Sequence, residues 1–208
     1  MNNHQPAWLL LAQRIQALAR TGLTYGTGPY DLERYHELDQ IATQMLADLA
    51  DQPVAALAEA MPIEVGYQTP KLDVRAVIVR DGQVLLVRES ENDLWSLPGG
   101  YCDVGYAPGE MVAKEVREEA GLEVRPTRLL ALLDKRCHPH PPQLYYTYKA
   151  FFLCEVLGGE AHTGLETLAV DWFAPDALPP LSEDRVLAGQ IVQMMTLAAD
   201  PAAPVPFD

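Results

Sequence analysis

Glu115, Glu118 and Glu119 place three carboxylates within five consecutive positions, and Pro98-Gly99-Gly100 lies a short way upstream. Residues three and four apart share one face of a helix, so the spacing directs all three acids to nearly the same side. Like charges that close repel, at roughly a few tenths of a kcal/mol per pair. A hard cation with oxygen ligands offsets such repulsion. The chemistry this suits is divalent-metal chemistry on a phosphate anhydride, since magnesium commonly bridges protein carboxylates and substrate phosphates. An acidic helix face by itself most often means a solvated surface, so the surrounding elements must decide.

Those elements agree with a built site. Pro108 suits a first helical position and Gly121 the left-handed residue that ends a helix, so the acids fall on the second half of a helix from Pro108 to Ala120. Its opposite stripe, Val112, Ala113, Val116 and Ala120, is apolar and suits packing on a sheet. Upstream, Leu94-Trp95-Ser96-Leu97 broken by Pro98 and paired glycines reads as a strand end and a tight turn. Such a turn brings bare backbone close to the acids, and the Gly99 carbonyl can complete an oxygen shell.

From Gly100 to Leu122 the chain resembles the Nudix box, Gly-x5-Glu-x7-Arg-Glu-U-x-Glu-Glu-x-Gly-U with U a bulky aliphatic residue; Glu115, Val116, Glu118, Glu119, Gly121 and Leu122 match in register. Two positions depart: Tyr106 stands where the family has Glu, and Lys114 where it has Arg. Lys114 keeps the charge but loses the fork of donors. Glu110 can partly replace the charge lost at Tyr106. Further stretches resemble the Nudix subgroup with a helical N-terminal extension: Gly22-Leu23-Thr24-Tyr25, Tyr30 to Tyr35, Thr69 to Arg75, Asp134-Lys135-Arg136 with His138 and His140-Pro141-Pro142, and Tyr148-Lys149 to Phe152.

The resemblance implies an α/β/α sandwich with a mixed sheet, preceded by a small helical domain: residues 1–66 form the extension and 67–208 the hydrolase domain. It also implies a pyrophosphohydrolase that uses Mg2+, or Mn2+ in its place. The substrate class is a nucleoside diphosphate linked to X, such as CDP-choline or ADP-ribose. Attack of water on one phosphorus would release a nucleoside monophosphate and phosphorylated X, with the metal lowering the water's pKa and screening the anhydride. Expected metal ligands are Gly99, Glu115, Glu118 and Glu119; Glu118 is alternatively a proton acceptor, assisted by Lys114. Glu166, ahead of the last core strand, is a candidate additional ligand or base. Arg136, His140 and Tyr148 are candidate pocket residues. Two other classes remain open: a nonenzymatic Nudix-like nucleotide sensor, suggested by Tyr106 and by the extra helical segment, and an interaction protein whose acidic helix is only surface.

Composition narrows the setting. The chain has 208 residues, 49% hydrophobic, with 15 Lys plus Arg against 29 Asp plus Glu and a net charge of -14. That is enough apolar material for a packed core. It disfavours an extended nucleic-acid footprint, which needs clustered basic residues. The three cysteines form no close pair, so neither a disulfide framework nor a zinc site is signalled, and a reducing cytoplasm fits. The apolar run Trp8 to Ala12 is far too short to span a bilayer.

Before residue 66, Trp8, Leu11, Ile15 and Leu18 recur at helical spacing, as do Leu38, Ile41, Met45 and Leu49 after a possible N-cap at Asp31; Thr21 to Pro29 reads as the loop between. Two such stripes must dock on the rest of the chain or on another subunit; the heptad-like spacing from Trp8 to Leu18 points to a homodimer, with packing inside the chain the alternative. From Lys71 the period is two: Val74, Ala76 and Ile78 alternate, Asp81-Gly82 turns, and Val84 to Val87 returns as a hairpin. Strands are expected at 129–133, 145–156 and 169–173, a helix at 182–197, and a loose tail from Pro201.

Overall fold

A computed structural model describes residues 6–50, 54–55 and 66–208. Two compact units divide the chain: one comprises residues 71–141 and 147–208, the other the N-terminal region to Pro70 with residues 142–146.

In the N-terminal unit, α1 (Ala7–Tyr25) and α2 (Pro29–Ala50) form a helical hairpin joined by Gly26, Thr27 and Gly28. The loop expected from Thr21 is therefore shorter, because α1 continues to Tyr25. Asp31 is not an N-cap; Pro29 opens α2 and Asp31 sits in its first turn, where a negative charge suits the helix dipole. Helical character expected at residues 51–53 and 56–65 lies outside the described residues. Small residues mediate the contact between the helices. Leu9 and Ala12 pack with Leu46 and Ala47 in one core cluster, and Ala19 and Ala42 are fully buried as well. Arg20 is buried against Asp39 at 2.9 Å. The bulkier stripe points away: Trp8 is 39% exposed, Leu11 52%, Leu18 68%, Leu38 39% and Ile41 47%. Gln13 ties residues 142–146 to this unit, its side-chain amide donating to the Gln143 and Leu144 carbonyls at 3.0 and 3.1 Å.

The larger unit holds two sheets. In one, β1 (Lys71–Val77) runs parallel to β6 (Thr147–Gly159), which pairs antiparallel with β5 (Leu122–Asp134). In the other, β3 (Gln83–Glu89) pairs antiparallel with β2 (Val79–Arg80), β4 (Trp95–Ser96) and β7 (Thr167–Phe173). The Asp81-Gly82 turn has φ of 52° and 78°, the backbone a tight two-residue hairpin requires. That hairpin belongs only to β2 and β3; β1 joins the other sheet. Alternation along β1 also fails as a guide, since Asp73 through Val77 are all buried. A strand covered on both faces has no exposed parity.

Helix α3 (Pro108–Ala120) buries Met111, Val112, Val116 and Ala120 in the core beside Val74, Ala76 and Val87. Gly121, at φ 69°, ends it in the left-handed conformation. Glu110 accepts the Ala107 N–H at 2.9 Å, so its carboxylate caps the helix rather than standing in for an acid at position 106. Helix α4 (Ala188–Ala199) is shorter than expected; residues 182–187 form a turn and extended link ahead of it. The C-terminal tail is anchored. Leu132 N–H donates to the Pro206 carbonyl at 3.1 Å, and Asp208 accepts from the Asp134 N–H at 3.0 Å.

Candidate active site

The turn before α3 is held by β1. Val74 N–H donates to the Gly100 carbonyl at 2.8 Å, Ala76 N–H to the Pro98 carbonyl at 2.8 Å and Cys102 N–H to the Leu72 carbonyl at 2.8 Å. Gly99 adopts φ 141°, and a Cβ there would stand 2.0 Å from the Val74 carbonyl oxygen, so only glycine fits. Its N–H donates to Glu119 Oε2 at 2.8 Å, which ties the turn to the second half of α3.

Beneath the turn lies a buried ion network. Arg75, 1% exposed, grips Asp73 with a two-pronged contact at 2.7 and 3.0 Å and also donates to Ser96 Oγ and the Leu97 carbonyl. Lys149, opposite Asp73 in the parallel β1–β6 register, donates to its second oxygen at 2.9 Å. Burial alone pushes the Asp73 carboxyl up, but the Arg75 and Lys149 charges hold it well below the usual range. Such a network is rigid because breaking one partner strands a buried charge.

Gly99, Gly100, Glu115 and Glu119 line an open cavity of about 470 Å³ with Glu89, Glu166 and Arg185 among the other walls. Burial raises the Glu119 carboxyl to about 7, with Arg75 and the Gly99 N–H opposing and Glu115 and Glu89 adding to the rise. Glu115 is shifted upward by burial as well, partly offset by Lys114 and Arg75. Among the described residues no three His, Cys, Asp or Glu side chains close into a metal cage. The donors line one wall of an open space instead. That fits magnesium, which keeps waters and binds through one or two carboxylates plus substrate phosphates. All the donors are hard oxygens, and two carboxylates are held where a proton or a cation is the natural counter-charge.

The helix separates the three acids of the box. Glu115 and Glu119, four residues apart, turn into the cavity. Glu118 is not among its lining residues; its side chain is 53% exposed and takes the Lys114 ammonium at 2.9 Å. Lys114 does not line the cavity either, but its ammonium stands 3.8 Å from Asp103, which does. Glu166 does reach the cavity, and its carbonyl accepts the Ser90 N–H at 2.9 Å.

Arg136, His140 and Tyr148 do not line this cavity. Arg136 is paired with Asp134 at 3.2 Å. His140 is buried, its Nδ1 hydrogen-bonded to the Glu183 carbonyl at 2.6 Å, and burial lowers its pKa to about 3, so the ring is neutral. Tyr148 is 39% exposed on β6. Conversely, sequence reasoning missed Glu89, Glu91 and Arg185. The signal for the first two was their place: an acidic cluster, Glu89 to Asp93, that begins on the last residue of β3. Nothing local distinguishes Arg185.

No helix among the described residues is long and apolar enough to cross a membrane. Residues 69–193 match the NUDIX domain family, and residues 6–61 match a family described as UDP-X-like, N-terminal oligomerisation domain. The chain is 43% identical over 204 residues to YjhB of Bacillus subtilis (strain 168), provisionally named an ADP-ribose pyrophosphatase, covering 98% of each chain. A crystal structure of a UDP-X diphosphatase is 36% identical, with a TM-score of 0.64 over 96% of this chain and 97% of that one. That of an ADP-ribose pyrophosphatase from Streptococcus suis 89-1591 is 43% identical, with a TM-score of 0.61 over 67% of this chain and 100% of that one. With these relatives, the box on α3 and the helical extension before it, the chain belongs to the Nudix family and is a Nudix pyrophosphohydrolase.

Proposed function

We propose that the protein hydrolyses the diphosphate bond of nucleoside diphosphates linked to X, of the ADP-ribose, UDP-X or CDP-choline class, releasing a nucleoside monophosphate and phosphorylated X. One observation carries this reading: the Gly99 turn, Glu115, Glu119 and Glu166 converge on one open, acidic cavity in which burial holds Glu119 near neutrality. The relatives named ADP-ribose pyrophosphatase and UDP-X diphosphatase support the substrate class.

Glu115, Glu119 and the Gly99 backbone would hold Mg2+, with Mn2+ able to replace it. When bound, the metal supplies charge neutralisation for the anhydride and a lowered pKa for water. Glu166, on the cavity wall, receives the proton of the attacking water or adds a further oxygen ligand. Glu118 becomes a secondary ligand or proton acceptor when its exposed side chain swings from Lys114, its 2.9 Å partner, toward the cavity that it does not line here. The buried Asp73–Arg75–Lys149 network keeps the Gly99 turn rigid. Arg136, His140 and Tyr148 are left out of this site.

The assembly is a homodimer formed through α1 and α2, a reading supported by the oligomerisation-domain match and the exposed apolar stripe. A reducing compartment such as the cytoplasm suits the three free thiols. The test is product analysis after incubating the purified protein with ADP-ribose, UDP-glucose, CDP-choline and nucleoside triphosphates, with and without Mg2+. Turnover of at least one linked diphosphate, lost on chelation, is expected. Exclusive turnover of triphosphates, or none, would overturn the reading.

A further inference from the structure

Among the described residues, Arg185 is the one of positive charge that lines the acidic cavity. Its guanidinium faces two of the cavity's acids, Nε 3.4 Å from Glu89 Oε1 and Nη2 3.1 Å from Glu91 Oε2. The Glu91 side chain is 77% exposed, so this pair is weak and exchanges readily for a better anion. The backbone around Arg185 is anchored. Ser182 N–H donates to the Trp95 carbonyl at 2.8 Å, Asn92 donates to Ser182 Oγ at 3.0 Å, and the Glu183 and Asp184 carbonyls accept from His140 and Lys135 at 2.6 and 2.7 Å. A guanidinium carried by so fixed a loop is preorganised, which lowers the entropy lost when it takes a ligand.

A diphosphate entering this space brings negative charge toward carboxylates that already repel one another. A divalent cation answers part of that charge, and a planar fork of donors matched to phosphate oxygens answers more. We propose that Arg185 is a substrate-binding residue that exchanges Glu91 for a diphosphate oxygen of the substrate. The assignment rests on the phosphate-anhydride reading above and adds to it the group that recognises the anhydride apart from the metal.

Steady-state kinetics of the full-length protein with Mg2+ and the best substrate of the panel test it, together with calorimetric binding of inorganic pyrophosphate in the presence of Mg2+. Arg185→Ala and Arg185→Gln are expected to raise KM and weaken pyrophosphate binding by about 10- to 100-fold, the usual range for a hydrogen bond to a charged group. Arg185→Lys should fall between these and the native protein, since it keeps charge without the fork. Glu91→Gln should lower KM, because it removes the acid that competes for the guanidinium. Unchanged KM and pyrophosphate affinity in both Arg185 variants would overturn the proposal. So would a rise in KM with Glu91→Gln equal to that with Arg185→Ala, which would mean Arg185 acts only by holding the acid. If the native protein turns over nothing yet binds pyrophosphate through Arg185, the activity reading fails while this assignment stands.

Discussion

The ammonium of Lys114 stands 5.8 Å from the centre of the Tyr106 ring and donates to Glu118 Oε2 at 2.9 Å. The two positions at which this chain departs from the Nudix box therefore lie together, a cation on an aromatic face. Neither residue lines the cavity. Contacts of this kind at partly exposed sites contribute about 0.5–1 kcal/mol. Tyr106→Phe should leave kcat/KM within about twofold, and Tyr106→Glu should change it by less than about tenfold. A larger rise with Glu, measured under saturating Mg2+, would show that the native tyrosine limits the enzyme.

Glu119 and Glu118 are neighbours in sequence with unequal surroundings, the first facing the cavity and hydrogen-bonded to Gly99, the second exposed and paired with Lys114. Glu119→Gln can keep the Gly99 contact but not the charge. It should lower kcat by at least about 100-fold, as loss of a principal electrostatic group does. Glu118→Gln should lower it by less. Circular dichroism of both variants checks that the fold survives, and a reversed order of effects would contradict the assignment of ligands.

Burial raises the Glu119 carboxyl to about 7. Its folded pKa lies above its unfolded value, so the folded state holds the extra proton between the two, and stability falls as pH rises through that window. Without divalent ions, melting temperature should drop from pH 5 to pH 8 more in the native protein than in Glu119→Gln. Proton and cation compete for the same carboxylate. At limiting Mg2+, metal affinity measured by calorimetry should weaken as pH falls below about 7, and saturating Mg2+ should protect activity over the same range. Identical pH slopes for native and variant proteins would remove Glu119 as the titrating group.

Leu11 and Ile41, 52% and 47% exposed, lie on the apolar face that the α1–α2 hairpin leaves uncovered. Light scattering should give twice the 23.0 kDa chain mass for the native protein. Leu11→Glu combined with Ile41→Glu should yield a monomer with unchanged helical content, because neither side chain belongs to the buried face. A monomeric native protein would exclude the dimer.

What could be read directly along the chain was local. Pro108 and Gly121 bracket α3 as expected, and Asp81-Gly82 makes its tight turn, because helix ends and two-residue turns depend on backbone preferences of adjacent residues. Periodicity likewise located α1 and α2, but not which side of them is covered. Small Ala12 and Ala19 let the helices approach closely, while the larger Trp8 and Leu11 stay outward, and that choice depends on the facing helix. Of the three acids whose spacing puts them near one face of α3, Glu115 and Glu119 line the cavity, whereas the separation of Glu118 from them arises from where the helix meets the sheet. Asp73 and Lys149 are brought side by side only by the parallel β1–β6 register. Arg185 reaches Glu89 and Glu91 across 94 to 96 positions through the anchored loop before α4. Box chemistry is written in short-range spacing; the cation opposite the acids is placed by long-range strand pairing and loop contacts, which no local pattern encodes.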